Sequence, residues 1–156
     1  MNAVRTASCA SAEETEATGE RFAGRLHAGD VVLLEGDLAA GKTTFVRGLL
    51  HGLGGDSEAV SSPSFVLLQT YDCDTREIRC LHHVDLYRLE EKIADLREVG
   101  LEDVLSDDHA VVAVEWPKNT LAAWIPIDAR VWRIAITAKE DDSRQIVIIP
   151  PDGQSS

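Results

Sequence analysis

The chain has 156 residues, of which 44% are hydrophobic and 27% charged, and its formal net charge is −12 at pH 7. Length and composition predict one domain, residues 1–156, with a substantial buried core. The 15 basic residues against 27 acidic ones argue against strong direct binding to nucleic acid, because contacts to phosphate groups dominate such affinity.

The sequence also bears on the cellular compartment. No apolar run approaches the ~20 residues of a membrane-spanning helix, and no signal peptide is recognisable. The three cysteines, Cys9, Cys73 and Cys80, are odd in number and match no metal-binding spacing, so we expect free thiols. These features predict a cytoplasmic protein without a membrane partner.

The first third of the chain predicts a helix, a buried strand and a second helix. Residues 1–10 carry no clear pattern, and we expect them to be flexible. Ser11-Ala-Glu-Glu14 fits a capping box that begins a helix running to about Ala28. The β-favouring apolar residues Val31–Leu34 indicate a strand that is buried on both faces. The second helix presents an apolar face that consists of Val46, Leu49, Leu50 and Leu53.

The middle of the chain predicts an antiparallel pair of strands and a helical segment. Val66–Tyr71 and Ile78–Val84 have strand composition, and their short connection makes an antiparallel pair. A helix is predicted over about Glu90–Glu98. A helical turn follows over Leu101–Leu105.

The last third predicts another buried strand and a hairpin. Ala110–Val114 is the second continuous apolar run, and Leu121–Ile127 predicts a short helix with a loop. Val131–Ala138 and Gln145–Ile149 are expected to form a hairpin, and residues 150–156 a flexible tail. Buried strands combined with hairpins predict an α/β sandwich that has a mixed parallel and antiparallel sheet and helices on both faces.

The segment Gly36-Asp-Leu-Ala-Ala-Gly-Lys-Thr43 lies between the first buried strand and its helix. This segment matches the phosphate-binding loop of NTPases, in which a glycine is followed by any four residues and then by Gly-Lys-Thr. The match, between a strand and a helix, predicts a P-loop NTPase-like three-layer sandwich. Gly41 allows the backbone to approach a polyphosphate, and Lys42 would reach the β- and γ-phosphates of the nucleotide. The Thr43 hydroxyl would join the Mg²⁺ shell. The predicted nucleotide-binding residues of this loop are Asp37, Leu38, Ala39, Ala40, Gly41, Lys42, Thr43 and Thr44.

A phosphate loop also needs an acidic residue for Mg²⁺, which usually ends a neighbouring buried strand. Glu115 follows the apolar run Ala110–Val114, whereas Asp85 follows a more polar stretch. Burial therefore favours Glu115 in the metal shell, directly or through water, and Asp85 as the group that orients a water molecule. Which carboxylate contacts the metal directly stays open, and either could instead cap the next helix.

Three further features are candidates for the same site. The polar loop that contains Ser62 and Ser64 could close over the γ-phosphate, or it could be an ordinary connection. Trp116 could pack on the nucleotide or fill the core. His82 and His83 point to opposite faces of a strand, so at most one can face the site, and packed or solvated histidines are favoured over metal ligands.

Motifs that the sequence lacks indicate which nucleotide base is bound and which reaction is catalysed. No Asn-Lys-x-Asp stretch for guanine is present, which favours adenine and therefore ATP. The region Leu89–Asp108 is acidic rather than arginine-rich, which argues against the lid of a small-molecule kinase. No arginine has an obvious route to the γ-phosphate, so we expect hydrolysis to be slow without a partner.

Four motifs occur in order along the chain: Gly36–Thr44, Val60–Phe65, His83–Leu89 and Val114–Pro117. Together they resemble the bacterial ATPase family of tRNA threonylcarbamoyladenosine biosynthesis, the TsaE type, and the resemblance covers about residues 11–149. The family usually has glycine at the position of Ala39, threonine at that of Ser64 and often an acid at that of Lys118.

The resemblance implies an ATPase that acts with two protein partners, which transfer a threonylcarbamoyl group to adenosine 37 of tRNAs that read codons starting with A. ATP hydrolysis would reset that complex, and the tRNA would be contacted only indirectly. The resemblance places Lys42 and Thr43 on phosphate and Mg²⁺ and Glu115 in the metal shell. It also implies that Asp85 and Trp116 lie in the nucleotide site. Ser62 and Ser64 take the positions of a switch loop, and the expected catalytic residues are Lys42, Asp85 and Glu115.

Two other functions fit the same loop. One is a P-loop kinase of a small metabolite, and the other is a nucleotide-sensing module with negligible turnover. Release of free phosphate without an added acceptor distinguishes hydrolysis from the kinase reaction.

Overall fold

A computed structural model of the chain describes residues 4–37, 40–60, 68–86, 100–117 and 119–151. The predicted helix over Glu90–Glu98 lies outside these residues. No helix in the described part of the chain is long and apolar enough to cross a membrane.

A mixed β-sheet forms the middle layer of the described structure. Its four central strands are parallel to one another, and antiparallel strands complete both edges, as the alternation of buried runs and hairpins predicted. The strands are β1 (Arg5–Cys9), β2 (Val31–Glu35), β3 (Leu68–Asp72), β4 (Cys80–Asp85), β5 (Ala110–Glu115), β6 (Val131–Ala138) and β7 (Arg144–Ile149). Their order in the sheet is β1-β7-β6-β2-β5-β4-β3.

Helices cover both faces of this sheet, which confirms the predicted three-layer α/β sandwich. Helices α1 (Ala12–Ala23) and α2 (Lys42–Gly52) belong to one face. Helix α3 (Leu101–Leu105) packs on the other face. Two short 3₁₀ segments, Ser57–Ala59 and Asn119–Ala123, lie in the connections.

Strand β2 connects the two cores because its side chains alternate between them. Val32 and Leu34 belong to the core beneath α1 and α2, and Val31 and Leu33 to the core beneath α3. This two-sided burial explains the continuous apolar run in the sequence. It also places β2 between β6 and β5, so that the end of β2 lies beside the end of β5.

Several predicted boundaries were wrong. Arg5–Cys9 form strand β1 on β7 rather than a flexible segment, because backbone pairing orders a stretch that has no apolar alternation. Helix α1 has the predicted Ser11 cap but ends at Ala23, where the Gly24 amide bonds the Arg21 carbonyl. Pro150 and Pro151, which we assigned to the flexible tail, are buried.

Helices α1 and α2 approach so closely that their backbones touch. A Cβ atom added to Gly48 of α2 would lie 1.8 Å from the Glu16 carbonyl oxygen of α1. One added to Gly19 of α1 would lie 2.3 Å from the Phe45 carbonyl oxygen of α2. Two glycines therefore fix how α2, which begins at the phosphate loop, is seated on α1.

We expect Gly48→Ala to destabilise the fold by ~1–3 kcal/mol, because the added methyl group must separate the two helices. Gly24→Ala is the matched control, since a Cβ there would lie 3.5 Å from its nearest neighbour and φ is −66°. Urea unfolding of both variants measures the difference. Equal stabilities would contradict the tight helix contact.

Candidate functional site

The loop between β2 and α2 has the geometry of an anion-binding turn in its described residues. Gly36 has a φ of 154°, and a Cβ there would lie 2.4 Å from the Ile136 carbonyl oxygen of β6. Gly41, with a left-handed φ of 111°, is the N-cap of α2 and provides no capping side chain. The first amides of α2 are therefore not occupied by an N-cap side chain, and a helix N-terminus in this state favours an anion.

Lys42 is the only lysine that the described structure buries, with 5% of its surface exposed. Its ammonium group donates hydrogen bonds to the carbonyl oxygens of Gly36 and Asp37, the latter at 3.2 Å. It also lies 3.6 Å from the ring centroid of Trp116. Burial lowers the pKa of Lys42, while the carboxylates of Glu115, Asp85 and Asp37 oppose that shift.

Trp116 reaches Lys42 through an unusual backbone conformation. Its φ is 57°, a left-handed value that costs a non-glycine residue of order 1–3 kcal/mol and occurs preferentially at functional sites. The Trp116 amide bonds the Leu34 carbonyl oxygen at 3.3 Å, which holds the turn after β5 against the end of β2. The ring therefore lies over the phosphate-loop lysine because the chain turns sharply at the end of β5.

Glu115 connects three elements of the site. One of its carboxylate oxygens, Oε2, lies 3.2 Å from the Thr43 hydroxyl of α2, which donates to it, and 2.5 Å from Nε2 of His83 on β4. Glu115 is 4% exposed and His83 is fully buried. The carboxylate is thus held between the first turn of α2 and the neighbouring strand, as a fixed oxygen ligand would be.

Asp85 lies beside Glu115, since the two residues are register partners at the ends of β4 and β5. Asp85 is 6% exposed. Two buried carboxylates and the Thr43 hydroxyl therefore converge near the ammonium group of Lys42. Oxygen donors of this kind are the ligands that Mg²⁺ prefers, so the residues present fit this ion.

A small cleft opens next to the phosphate loop. It has a volume of about 120 Å³, and a Cβ added to Gly41 would lie 3.9 Å from Nε of Arg144, one of its residues. The cleft is lined by Ser11, Ala12, Thr15, Gly41, Thr44, Asp142 and Arg144. The start of α1 and the β6–β7 hairpin therefore face the phosphate loop across this cleft.

A larger cavity of about 540 Å³ lies on the other side of the sheet. Its arginine, Arg133, is already paired with Glu35 at 3.1 Å. Among its described lining residues none belongs to the phosphate loop. Because the smaller cleft includes Gly41 of the phosphate loop, it is the better candidate for a polyphosphate.

The structure brings together Asp37, Lys42, Thr43, Asp85, Glu115 and Trp116 among the predicted site residues. Leu38, Ala39, Ser62, Ser64 and Lys118 lie outside the described residues. The sequence favoured a packed or solvated role for His83, although its position two residues before Asp85 puts both on one strand face. No sequence signal indicated Arg144, which lies near the phosphate loop because the β6–β7 hairpin packs beside it.

A family model described as "Threonylcarbamoyl adenosine biosynthesis protein TsaE" matches residues 9–146. The chain belongs to the TsaE family. Its residues Lys42, Thr43, Asp85 and Glu115 all lie within the matched segment.

Individual TsaE proteins and one solved structure agree with this assignment. The chain is 37% identical over 134 residues to the TsaE protein of Bacillus subtilis, covering 86% of this chain and 78% of that one. It is 44% identical over 98 residues to the Streptomyces coelicolor protein, covering 63% and 64%. The crystal structure of Bacillus subtilis YdiB has a TM-score of 0.69 at 29% identity and covers 99% of this chain and 90% of that one.

We expect His83→Leu to destabilise this TsaE protein by ~1–3 kcal/mol, because it leaves the buried Glu115 carboxylate without one of its donors. His51→Leu is the matched control. The His51–Glu20 pair is 3.2 Å long but about half exposed, so its loss should cost less than ~1 kcal/mol. Chemical denaturation compares the two variants, and equal losses would show that His83 does not support Glu115.

Proposed function

We propose that the chain binds ATP with Mg²⁺ and hydrolyses it in the biosynthesis of tRNA threonylcarbamoyladenosine. The observation that carries this proposal is the convergence of Lys42, Thr43 and Glu115 at the N-terminus of α2. Membership of the TsaE family supports the process, and the donor set supports the chemistry. The chain would work as one domain.

Lys42 is the group that must move first. In the described structure its ammonium is held by two loop carbonyl oxygens and the Trp116 ring. Phosphate oxygens offer charge-assisted hydrogen bonds in place of these neutral partners, and their negative charge raises the pKa that burial has lowered. We infer that nucleotide binding transfers Lys42 from the loop to the β- and γ-phosphates.

Thr43 and Glu115 would hold the metal ion, directly or through water. When bound, Mg²⁺ would neutralise charge that develops on the phosphate oxygens. His83 contacts the same Glu115 oxygen as Thr43, at 2.5 Å, and so helps to hold the carboxylate in place. Asp85 lies next to Glu115 and would orient the attacking water molecule, so the two carboxylates would have separate roles.

The nucleoside end of ATP would occupy the cleft beside Gly41. This position follows from continuity, because the cleft begins at the phosphate loop and includes Thr44 of the first turn of α2. Arg144 would approach the phosphates or the ribose from the β6–β7 hairpin. Adenine is expected as the base because the sequence lacks a guanine-reading stretch.

Two protein partners of the threonylcarbamoyl-transferase complex would complete the machinery. The net charge of −12 supports this arrangement, because a protein this acidic would contact tRNA through partners that carry positive surface. Hydrolysis would reset the complex after each transfer. The loop with Ser62 and Ser64 would respond to the γ-phosphate as a switch.

We expect Lys42→Ala to abolish phosphate release from ATP while the protein stays folded, because the missing ammonium group serves phosphate rather than core packing. The control is Arg76→Ala, which removes an exposed cation at the opposite end of the sheet and should keep full activity. Circular dichroism and a phosphate-release assay test both variants. Undiminished release by folded Lys42→Ala would remove the loop from the mechanism.

We expect phosphate release to rise about 10³-fold or more when a partner supplies an arginine to the transition state. The measurement compares steady-state release by the pure chain with release after mixing with the two transferase partners. A fast pure enzyme that mixing does not change would contradict completion by partners. Phosphate transfer to a small acceptor in place of release would indicate a kinase.

A further inference from the structure

A second cluster of metal-ligating side chains lies on the sheet face opposite to Glu115. Cys80 and His82 are two residues apart on β4, so both project from the same face, and Asp107 approaches them from the segment before β5. Sγ of Cys80 lies 3.7 Å from Nε2 of His82 and 3.8 Å from Oδ2 of Asp107. Nε2 of His82 and Oδ2 of Asp107 are 3.0 Å apart.

These three distances fit one tetrahedral ion. Zinc bonds of about 2.3 Å to sulfur and 2.0–2.2 Å to nitrogen or oxygen place neighbouring ligand atoms roughly 3.4–3.6 Å apart. The observed separations are within about 0.4 Å of these values. We propose that Cys80, His82 and Asp107 bind a divalent ion of the zinc class, with water in the fourth position.

The groups behind the ligands are arranged as a metal site requires. Nδ1 of His82 lies 2.8 Å from the hydroxyl of Thr70 on β3, which can fix the ring and leave the Nε2 lone pair for the ion. The other Asp107 oxygen, Oδ1, accepts the His109 amide at 2.9 Å. Both the imidazole and the carboxylate are therefore oriented before an ion arrives.

Burial and position distinguish this site from the nucleotide site. His82 is 8% exposed, while Cys80 and Asp107 are half-buried and leave the cluster accessible to an ion. His83 projects from the other face of β4 toward Glu115. An ion bound by Cys80, His82 and Asp107 would link the segment before β5 to strand β4. Because such an ion binds the folded chain in preference to the unfolded one, it would stabilise the folded state.

Cobalt titration of the full chain tests the proposal, because a thiolate ligand gives a sulfur-to-cobalt charge-transfer band that oxygen ligands of a nucleotide site do not give. The wild-type protein should take up one Co²⁺ with this band, and Zn²⁺ should displace it. Cys80→Ser should lose the band. Cys73→Ser is the matched control, since Cys73 is a neighbouring half-buried thiol that packs on the other core, and it should keep the band.

Asp107→Asn provides a second test that keeps the thiol and the side-chain shape. Its cobalt affinity should fall at least about 10-fold, the effect expected even from the loss of a supporting group. Thermal unfolding should show that Zn²⁺ raises the melting temperature of wild type and Cys73→Ser but not of Cys80→Ser. If the wild-type protein shows no charge-transfer band, the three side chains form only a hydrogen-bonded network. If the band persists in Cys80→Ser, the ion is bound by another thiol. Either result overturns the proposal.

Discussion

The parallel pairing of β2 with β5 is the constraint on which the site depends. It sets Leu34 opposite Glu115, so the phosphate loop leaves one strand where the carboxylate ends the next. The amide of Trp116 closes this junction by bonding Leu34. A shift of β5 by one residue would turn the Glu115 side chain to the other face of the sheet and separate it from Thr43.

The buried charges at this junction would favour a bound cation. Glu115 and Asp85 are both almost fully buried at adjacent strand ends, and Lys42 is the cation beside them. Burying carboxylates is costly unless they are paired, and Glu115 accepts hydrogen bonds from Thr43 and His83. A bound Mg²⁺ would compensate these negative charges. The ammonium group of Lys42 is stabilised by the carbonyl oxygens of Gly36 and Asp37 and by the Trp116 ring.

The sequence predicted the central layer well, because strands buried on both faces leave continuous apolar runs such as Val31–Leu34 and Ala110–Val114. It missed β1, since Arg5–Cys9 has no apolar signal and is ordered by pairing with β7. The phosphate loop and Glu115 could be placed from local motifs. Arg144, and the approach of Asp107 to Cys80 and His82, depend on which strands become neighbours, which no local pattern encodes.

The most direct test of the central claim is a crystal structure of the chain with a non-hydrolysable ATP analogue and Mg²⁺. We expect the ammonium group of Lys42 to leave the Gly36 carbonyl and the Trp116 ring and to contact the β- and γ-phosphates. We also expect Thr43 and Glu115 in the metal shell, directly or through one water. An analogue bound in the larger cavity around Arg133, or a Lys42 that keeps its loop contacts while the nucleotide is bound, would contradict this expectation.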